Sequence, residues 1–183
     1  MKNNISTSNH RQGGSFAIEL AFVLVGLCAI FLFSTDLSHK LLVRAKLDRS
    51  SFALTNILKE RTRYFEADIA INENVKVKNT DLEDLVQVAS RMLNTAPENV
   101  ALKVESMIDA SEVTSFNSQK FDQLGCQVSD FSDFSELAPK DNAVVYPLYR
   151  VSLCETHDSW FDPFVGNKES ALTIVSSSIM PGR

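Results

Sequence analysis

Apolar residues form one long stretch near the amino terminus of this chain. Between Ser15 and Thr35 the only charged residue is Glu19, and the next charge is Asp36. At 1.5 Å per residue, a helix of these 21 residues is about 31 Å long, which matches a hydrocarbon core of about 30 Å. The pattern therefore predicts a transmembrane helix over residues 15–35.

The helical pattern continues beyond this stretch. Apolar residues recur at spacings of three, four or about seven, and after Asp36 neither Pro nor Gly occurs until well past Phe65. This spacing is typical of a helix with one apolar stripe, so we expect a single helix from about Ser15 to about Tyr64. Residues 36–65 would be its extramembrane continuation. The stripe consists of Leu37, Leu41, Leu47, Leu54, Leu58 and Phe65.

A second, shorter helix is predicted after a polar connector at residues 72–79. Thr80 is a helix-capping residue type, and Glu83 follows three positions later, which is the spacing of a capping box. Apolar residues then recur on one helix face, and the pattern ends near Asn94, ahead of Pro97. The apolar face consists of Leu82, Leu85, Val86, Ala89, Met92 and Leu93.

Three segments of the carboxyl-terminal half have strand patterns. Residues 100–106 and 149–154 alternate apolar with polar positions, and 171–179 contains a β-branched run. The stretch 111–142 is acidic but contains phenylalanines, so it is interpreted as a packed loop region. The expected fold class is α+β: a long amino-terminal transmembrane and amphipathic helix, a second helix, and a small antiparallel β-sheet. Residues 66–183 would form the α+β domain.

Charge is unevenly divided along the chain. Residues 1–65 contain nine Lys and Arg against four Asp and Glu, whereas residues 66–183 contain nine against 19. The net charge of −10 on the second part argues against nucleic acid or anionic lipid as its ligand. The basic stretch 40–63 has three open interpretations: contact with lipid headgroups, contact with an acidic neighbour, or a solvated helix face.

The chain has three cysteines. Cys28 lies inside the apolar stretch, where it is interpreted as a small apolar residue. Cys126 and Cys154 lie in the acidic part, and an oxidising compartment would favour a disulfide between them that closes a loop of roughly 28 residues. The alternative is a pair of free, buried thiols.

The sequence contains no motif that indicates catalysis or metal binding. It has no G-x-S-x-G, no phosphate loop and no H-E-x-x-H, and His10, His39 and His157 do not have a metal-binding spacing. We therefore expect neither enzymatic activity nor a cofactor nor a metal. A membrane-anchored enzyme is the rival interpretation, and His157 near Cys154 is its nearest candidate for a base and a nucleophile.

Glu19 is an unusual residue for its position. A charge within a membrane span costs about 2.5–3.5 kcal/mol, so such a residue usually has a partner and a function. Gly14, followed by five residues that end in Glu19 at the edge of a span, resembles the processing site of type IV prepilins. Gly14 would end a leader of residues 1–14, and Ser15 would begin the mature chain.

Two other interpretations of the amino terminus remain open. An uncleaved anchor would need no carboxylate at Glu19, and a secretory signal would end at a small-x-small site, which the sequence after Phe33 lacks. Counting Lys and Arg alone, the positive-inside rule mildly favours an external amino terminus. The leader and the two cysteines outside the span favour a cytoplasmic one.

Several segments resemble the pseudopilins of bacterial tight-adherence (Tad) pili. In this chain, the sequence G-S-F-A-I-E-L-A at 14–21 is similar to the processing region of these proteins. The sequence K-L-D-R-S-S-F-A-L-T-N-I-L-K-E-R at 46–61 resembles the TadF branch in particular. The runs Q-V-A-S-R-M-L at 87–93 and P-L-Y-R-V at 147–151 are also similar to TadF, so this branch is favoured over its TadE sibling.

The resemblance implies a pilin-like fold and a minor pseudopilin subunit of a Tad (Flp) pilus machine. Such a protein is cut by a prepilin peptidase between Gly14 and Ser15, and it takes part in assembling pili for adherence and biofilm formation. The implied location is the bacterial inner membrane, crossed once, with the carboxyl-terminal domain in the periplasm. The implied partners are the peptidase, other pilin and pseudopilin subunits, inner-membrane pilus assembly proteins and membrane lipid. A TadE-like anchored adaptor is the alternative.

The position of Glu19 suggests a role after cleavage. The new amino terminus of Ser15 would be positively charged and about one helical turn away from the carboxylate. Pairing within one chain or between neighbours would set the axial register of one subunit against the next.

Overall fold

The computed structural model describes residues 13–60, 75–141, 144–159, 161–164, 166 and 171–182. The chain divides into two compact units. We call Met1–Ser38 with Ser159–Ser170 the amino-terminal unit, and His39–Asp158 with Ala171–Arg183 the sheet unit. The fold is α+β, as expected from the sequence.

The first element is one helix, α1, at Gly13–Lys59. It contains no proline, and its one internal glycine after the first turn, Gly26, does not interrupt it. Most apolar side chains from Phe16 to Phe33 are exposed, and α1 is long and apolar enough to cross a membrane. Residues 1–12 of the predicted leader (1–14) and residues 61–64 of the predicted helix lie outside the described residues.

The second helix, α2, covers Asn79–Leu93. The predicted capping role of Thr80 is wrong, because Thr80 lies inside the helix. Asp81 instead accepts a hydrogen bond from the backbone N–H of Lys78 at 2.6 Å, and Asn79 donates to Glu83 at 2.9 Å. The helix ends at Asn94, which adopts the left-handed conformation with φ 54° that often closes a helix.

The remaining elements are short helices and strands. Helical turns lie at Pro97–Asn99 and Ser132–Leu137. Two short helices are α3 (Gln119–Gln123) and α4 (Phe161–Phe164). The strands are β1 (Ala101–Ile108), β2 (Glu112–Asn117), β3 (Lys140–Asp141), β4 (Val144–Val145), β5 (Leu148–Asp158) and β6 (Ala171–Pro181).

Four of the strands form an antiparallel sheet in the order β2-β1-β5-β6. Three of them occupy segments in which the sequence predicted strands. Strand β2 was not predicted, because the stretch 111–142 was interpreted as loop. It follows a tight turn in which Asp109 and Ala110 both have positive φ, 52° and 57°. Alanine is uncommon in that conformation, so the turn has no sequence signature such as Asn-Gly.

Both faces of the sheet are covered. On one face, side chains of α1 and α2 pack against alternate residues of β1 and β5, such as Val104 and Val151. On the other face lies a segment of loops and short helices at 118–139, which we call the loop layer; it contributes Phe121 and Phe131. Glu105, a charged residue on this second face of β1, is therefore buried.

Hydroxyl groups line the contact between α1 and the edge strand β6. Ser51 Oγ lies 3.1 Å from Ser176 Oγ and 2.9 Å from Ser178 Oγ. Thr55 Oγ1 donates to the carbonyl of Ser51 at 2.7 Å and lies 3.3 Å from the carbonyl of Ser178. The helix therefore meets this strand through small hydrogen-bonded side chains, next to the leucine core.

Leu54 is fully buried on α1, and Leu42 on the same helix is 69% exposed. We expect Leu54→Ala to lower the free energy of unfolding of the sheet unit by about 2–5 kcal/mol, because it leaves a cavity. The matched control Leu42→Ala should change it by less than about 0.5 kcal/mol. Denaturant titration of the full chain in detergent micelles, followed by circular dichroism, measures both. Equal effects would contradict the assigned orientation of α1.

Candidate functional site

The predicted processing site lies in the first turns of α1. The helix begins at Gly13, so Gly14 and Ser15 are its second and third residues, and Glu19 follows one turn later. On a helix, residues four apart are neighbours on the same face. Residues 15 and 19 therefore lie one turn apart on the same face of α1.

Glu19 is surrounded along the helix by exposed apolar side chains. Phe16 and Phe22 are 68% and 74% exposed, and Ile18 and Leu20 are also exposed. None of the most apolar window of this helix is buried. The structure thus places the carboxylate of Glu19 on a helix surface whose other side chains are apolar enough to contact lipid.

Exposed apolar residues are also present on the part of α1 that belongs to the sheet unit. Leu41, Leu42, Phe52 and Ile57 are each more than half exposed. They lie on the same helix as Leu47 and Leu54, which pack into the core of the sheet unit. This half of α1 therefore has one face in the core and further apolar side chains available for another molecule.

The two predicted disulfide residues are joined. Cys126 in the loop layer and Cys154 on β5 form a disulfide with their Cα atoms 6.4 Å apart. Closing a 28-residue loop restricts the unfolded chain and is worth about 3–4 kcal/mol in the chain-entropy model. Cys28 is free and exposed on α1.

An ion pair that the sequence did not predict lies beneath the loop layer. Arg150 on β5 and Glu105 on β1 are register partners and are 1% and 3% exposed. The guanidinium contacts the carboxylate through Nε and Nη2, and Lys103 Nζ lies 3.0 Å from Glu105 Oε1. Two cations therefore share one buried carboxylate.

The same arginine holds the loop layer against the sheet. Its Nη1 donates to the carbonyl of Ser129 at 2.9 Å, and its Cζ lies 4.6 Å from the ring centroid of Phe131. The ring of Phe134 is 5.9 Å away. These contacts satisfy a charge that would be costly to bury alone.

Asp130 fixes the turn that leads into this cluster. Its Oδ1 accepts a hydrogen bond from the backbone N–H of Ser132 at 3.0 Å. This bond, together with one from the Ser132 side chain, lowers the pKa of the Asp130 carboxyl below its ordinary value of 3.8. The acceptor is therefore ionised at neutral pH, and the turn is maintained.

The residues of the rival enzyme interpretation do not form a catalytic pair. Cys154 is engaged in the disulfide and has no thiolate to attack a substrate. His157 Nδ1 lies 3.0 Å from Nδ1 of His39, and the two rings stack with their centroids 4.7 Å apart. Within the described part of the chain, no three His, Cys, Asp or Glu side chains come together as they would in a metal site.

These features define a class of protein. An apolar helix that could span a membrane continues without a break into a small α+β unit, and its exposed apolar part carries one carboxylate near its start. This is the architecture of a membrane-anchored, pilin-like protein.

The comparison with protein families identifies the particular group. The model of the family TadF, described as Putative tight adherence pilin protein F, matches residues 8–183. The chain therefore belongs to the TadF family of pilin proteins, which is not a known enzyme family. Comparisons with curated proteins and with solved structures find no significant match.

The buried ion pair yields a test with an exposed counterpart. Glu105→Gln leaves the charge of Arg150 buried without its partner, so we expect a loss of about 3–5 kcal/mol in the free energy of unfolding. The control is Glu112→Gln, which breaks the exposed pair between Glu112 and Lys76 and should cost about 0–1 kcal/mol. Equal costs in thermal or denaturant unfolding would show that Arg150 does not depend on Glu105.

Proposed function

We propose that this chain is a minor pilin-like (pseudopilin) subunit of a Tad pilus, cut by a prepilin peptidase and needed for assembly of the fibre. The observation that carries the proposal is the TadF family match over residues 8–183, combined with Glu19 on an exposed apolar helix. Adherence and biofilm formation would follow from the fibre that the subunit helps to build.

The proposed cleavage separates Gly14 from Ser15. A peptidase must bring its catalytic groups close to the backbone of the scissile bond, and a glycine on the leader side leaves room for that approach. The bond joins the second and third described residues of α1.

Cleavage would change the electrostatics of Glu19. The new ammonium group of Ser15 lies four residues away on the helix, so the two charges can pair within one subunit or across two. In lipid, a pair is favoured over two separate charges. We infer that this pair fixes the axial position of a subunit beside its neighbours.

The proposed topology puts the amino terminus in the cytoplasm and the sheet unit in the periplasm, with residues 15–35 in the inner membrane. The disulfide between Cys126 and Cys154 supports this assignment, because such bonds persist in oxidising compartments. The acidic carboxyl-terminal part suits protein partners rather than nucleic acid.

The extramembrane half of α1 offers a surface for these partners. Its exposed residues Leu41, Phe52 and Ile57 are apolar, and exposed apolar groups of this kind favour protein contact over solvent. We propose that other pilin and pseudopilin subunits, or inner-membrane assembly proteins, pack on this surface.

The cleavage assignment is tested by Gly14→Val in cells that contain the peptidase. The branched side chain should block access to the scissile bond, so the protein should keep its leader and migrate more slowly on a denaturing gel. Gly13→Val is the matched control and should mature normally. Maturation of the Gly14 variant, or a mature chain that does not begin at Ser15 by mass spectrometry, would overturn the assignment.

The register role is tested separately by Glu19→Ala. The variant should still enter the membrane and lose its leader, because the scissile bond is intact. It should produce few or no fibres by electron microscopy, and Glu19→Asp should restore part of the loss since it keeps the charge. Normal fibres in the alanine variant would refute the role of Glu19.

A further inference from the structure

The outward face of α1 in the sheet unit carries an arginine among apolar and small side chains. Leu42, Ala45, Arg49 and Phe52 follow one another at intervals of three, four and three residues, so they share one face of the helix. All four are exposed, Leu42 by 69% and Phe52 by 57%. We call these four residues the Arg49 face.

Arg49 is not neutralised on its own helix. The positions three and four residues away, 45, 46, 52 and 53, are Ala, Lys, Phe and Ala, so none of the side chains that could face it is a carboxylate. Within the described part of the chain, its side chain makes neither a hydrogen bond nor an ion pair. An exposed arginine beside apolar groups is typical of a protein interface, where a partner supplies apolar surface and negative charge.

The sheet unit also has a groove, between α2, the helical turn at Pro97–Asn99 and α3. Its volume is about 300 Å³, and Leu82 and Val86 of α2, together with Pro97, form its apolar part. This volume is at the lower end of the range for ligand sites, so the groove suits one or two inserted side chains rather than a large molecule.

The lining of this groove is negatively charged. Glu83 on α2 and Glu98 in the helical turn contribute two exposed carboxylates, and of the described lining residues only Lys120 is cationic. Asn79 donates to Glu83 at 2.9 Å, which orients that carboxylate without neutralising it. Glu98 makes no side-chain hydrogen bond or ion pair within the described residues. The groove is therefore complementary to a cationic side chain with an apolar stem, such as arginine.

The groove and Arg49 are close along the axis of α1. Lys46 Nζ donates to the carbonyl of Leu93, the last residue of α2, at 2.7 Å. Arg49 is three residues further along α1, or about 4–5 Å. Pro97 and Glu98 follow Leu93 by four and five residues. The groove therefore lies within a few helical turns of Arg49, so two subunits anchored side by side in one membrane can bring the two features together.

We propose that this groove binds the Arg49 face of a second copy of the chain, an inference that rests on the proposed function as a pilus subunit and specifies one neighbour of that subunit. The guanidinium of Arg49 lies between the carboxylates of Glu83 and Glu98. Leu42 and Phe52 of the same copy cover the apolar part of the groove.

The groove and the Arg49 face share no residue, so the contact between the two copies is heterologous. Such a contact leaves one groove and one Arg49 face unoccupied at the two ends of the pair. It extends into a helical filament whenever the rotation between copies does not close a ring. This property suits a fibre subunit, whereas a self-complementary dimer would stop growing at two copies.

Sedimentation equilibrium of the full chain in density-matched detergent micelles tests this contact. We expect the unmodified chain to self-associate. Arg49→Glu or Glu98→Arg alone should weaken the association by about 10- to 100-fold, because each change brings like charges together. The double variant should regain part of the lost affinity, since the two charges are exchanged.

Arg44→Glu is the matched control. Arg44 is exposed on the same helix, but it lies five residues before Arg49 and therefore points about 140° away from it. This variant changes the net charge by the same amount as Arg49→Glu and should leave the association unchanged. Because all these substitutions are on the surface, the thermal unfolding of the variants should match that of the unmodified chain.

Three results would refute the contact: a chain that stays monomeric at every concentration, an equal loss in the Arg44 control, or no gain of affinity in the double variant. The pilus assignment would stand in each case, because maturation at Ser15 and fibre formation are measured separately with Gly14→Val and Glu19→Ala. A chain that self-associates as expected but does not mature at Ser15 would support the contact and count against the pilus assignment.

Discussion

In the proposed membrane topology, one helix of this protein has to be stable in two different solvents. An α-helix satisfies its backbone hydrogen bonds internally, so α1 can pass from lipid to a protein core without a break. Only the side chains differ between the two halves of the helix. Most of the apolar ones are exposed from Phe16 to Phe33, whereas Leu47 and Leu54 are buried against the sheet. The rest of the fold supplies what the second half of this helix packs against.

The sheet provides that surface, and it in turn depends on the loop layer. Strands β1 and β5 are central and have both faces covered, so a polar side chain on either face must be satisfied inside the protein. Arg150 meets this requirement by contacting Glu105, a loop carbonyl and two aromatic rings. A buried pair of this kind adds little net stability over an apolar pair, and we infer that it specifies how the layers fit together.

The sequence predicted the features whose signals are local. The helix α1, the end of α2 and three strands follow from periodicity over a few residues, and Cys126 and Cys154 were the two cysteines outside the span. The site residues Gly14, Ser15 and Glu19 were found from their spacing, and their roles remain proposals. The burial of Glu105 could not be predicted, because it depends on a covering layer 13 to 34 residues further along the chain. Strand β2 was missed because the turn before it consists of Asp109 and Ala110, which are not a typical turn pair. Thr80 was predicted as the helix cap, whereas the carboxylate of Asp81 makes the hydrogen bond to the backbone N–H of Lys78.

The bond between Cys126 and Cys154 has a consequence for timing. Thiols stay reduced in the bacterial cytoplasm, so in the proposed topology the loop layer can be fastened to β5 only after the chain has crossed the membrane. Until the bond forms, the contacts of Arg150 with Ser129 and Phe131 are left to hold that layer against the sheet without a covalent link. In the proposed topology, a newly exported subunit would thus complete its fold only after the two thiols have been oxidised.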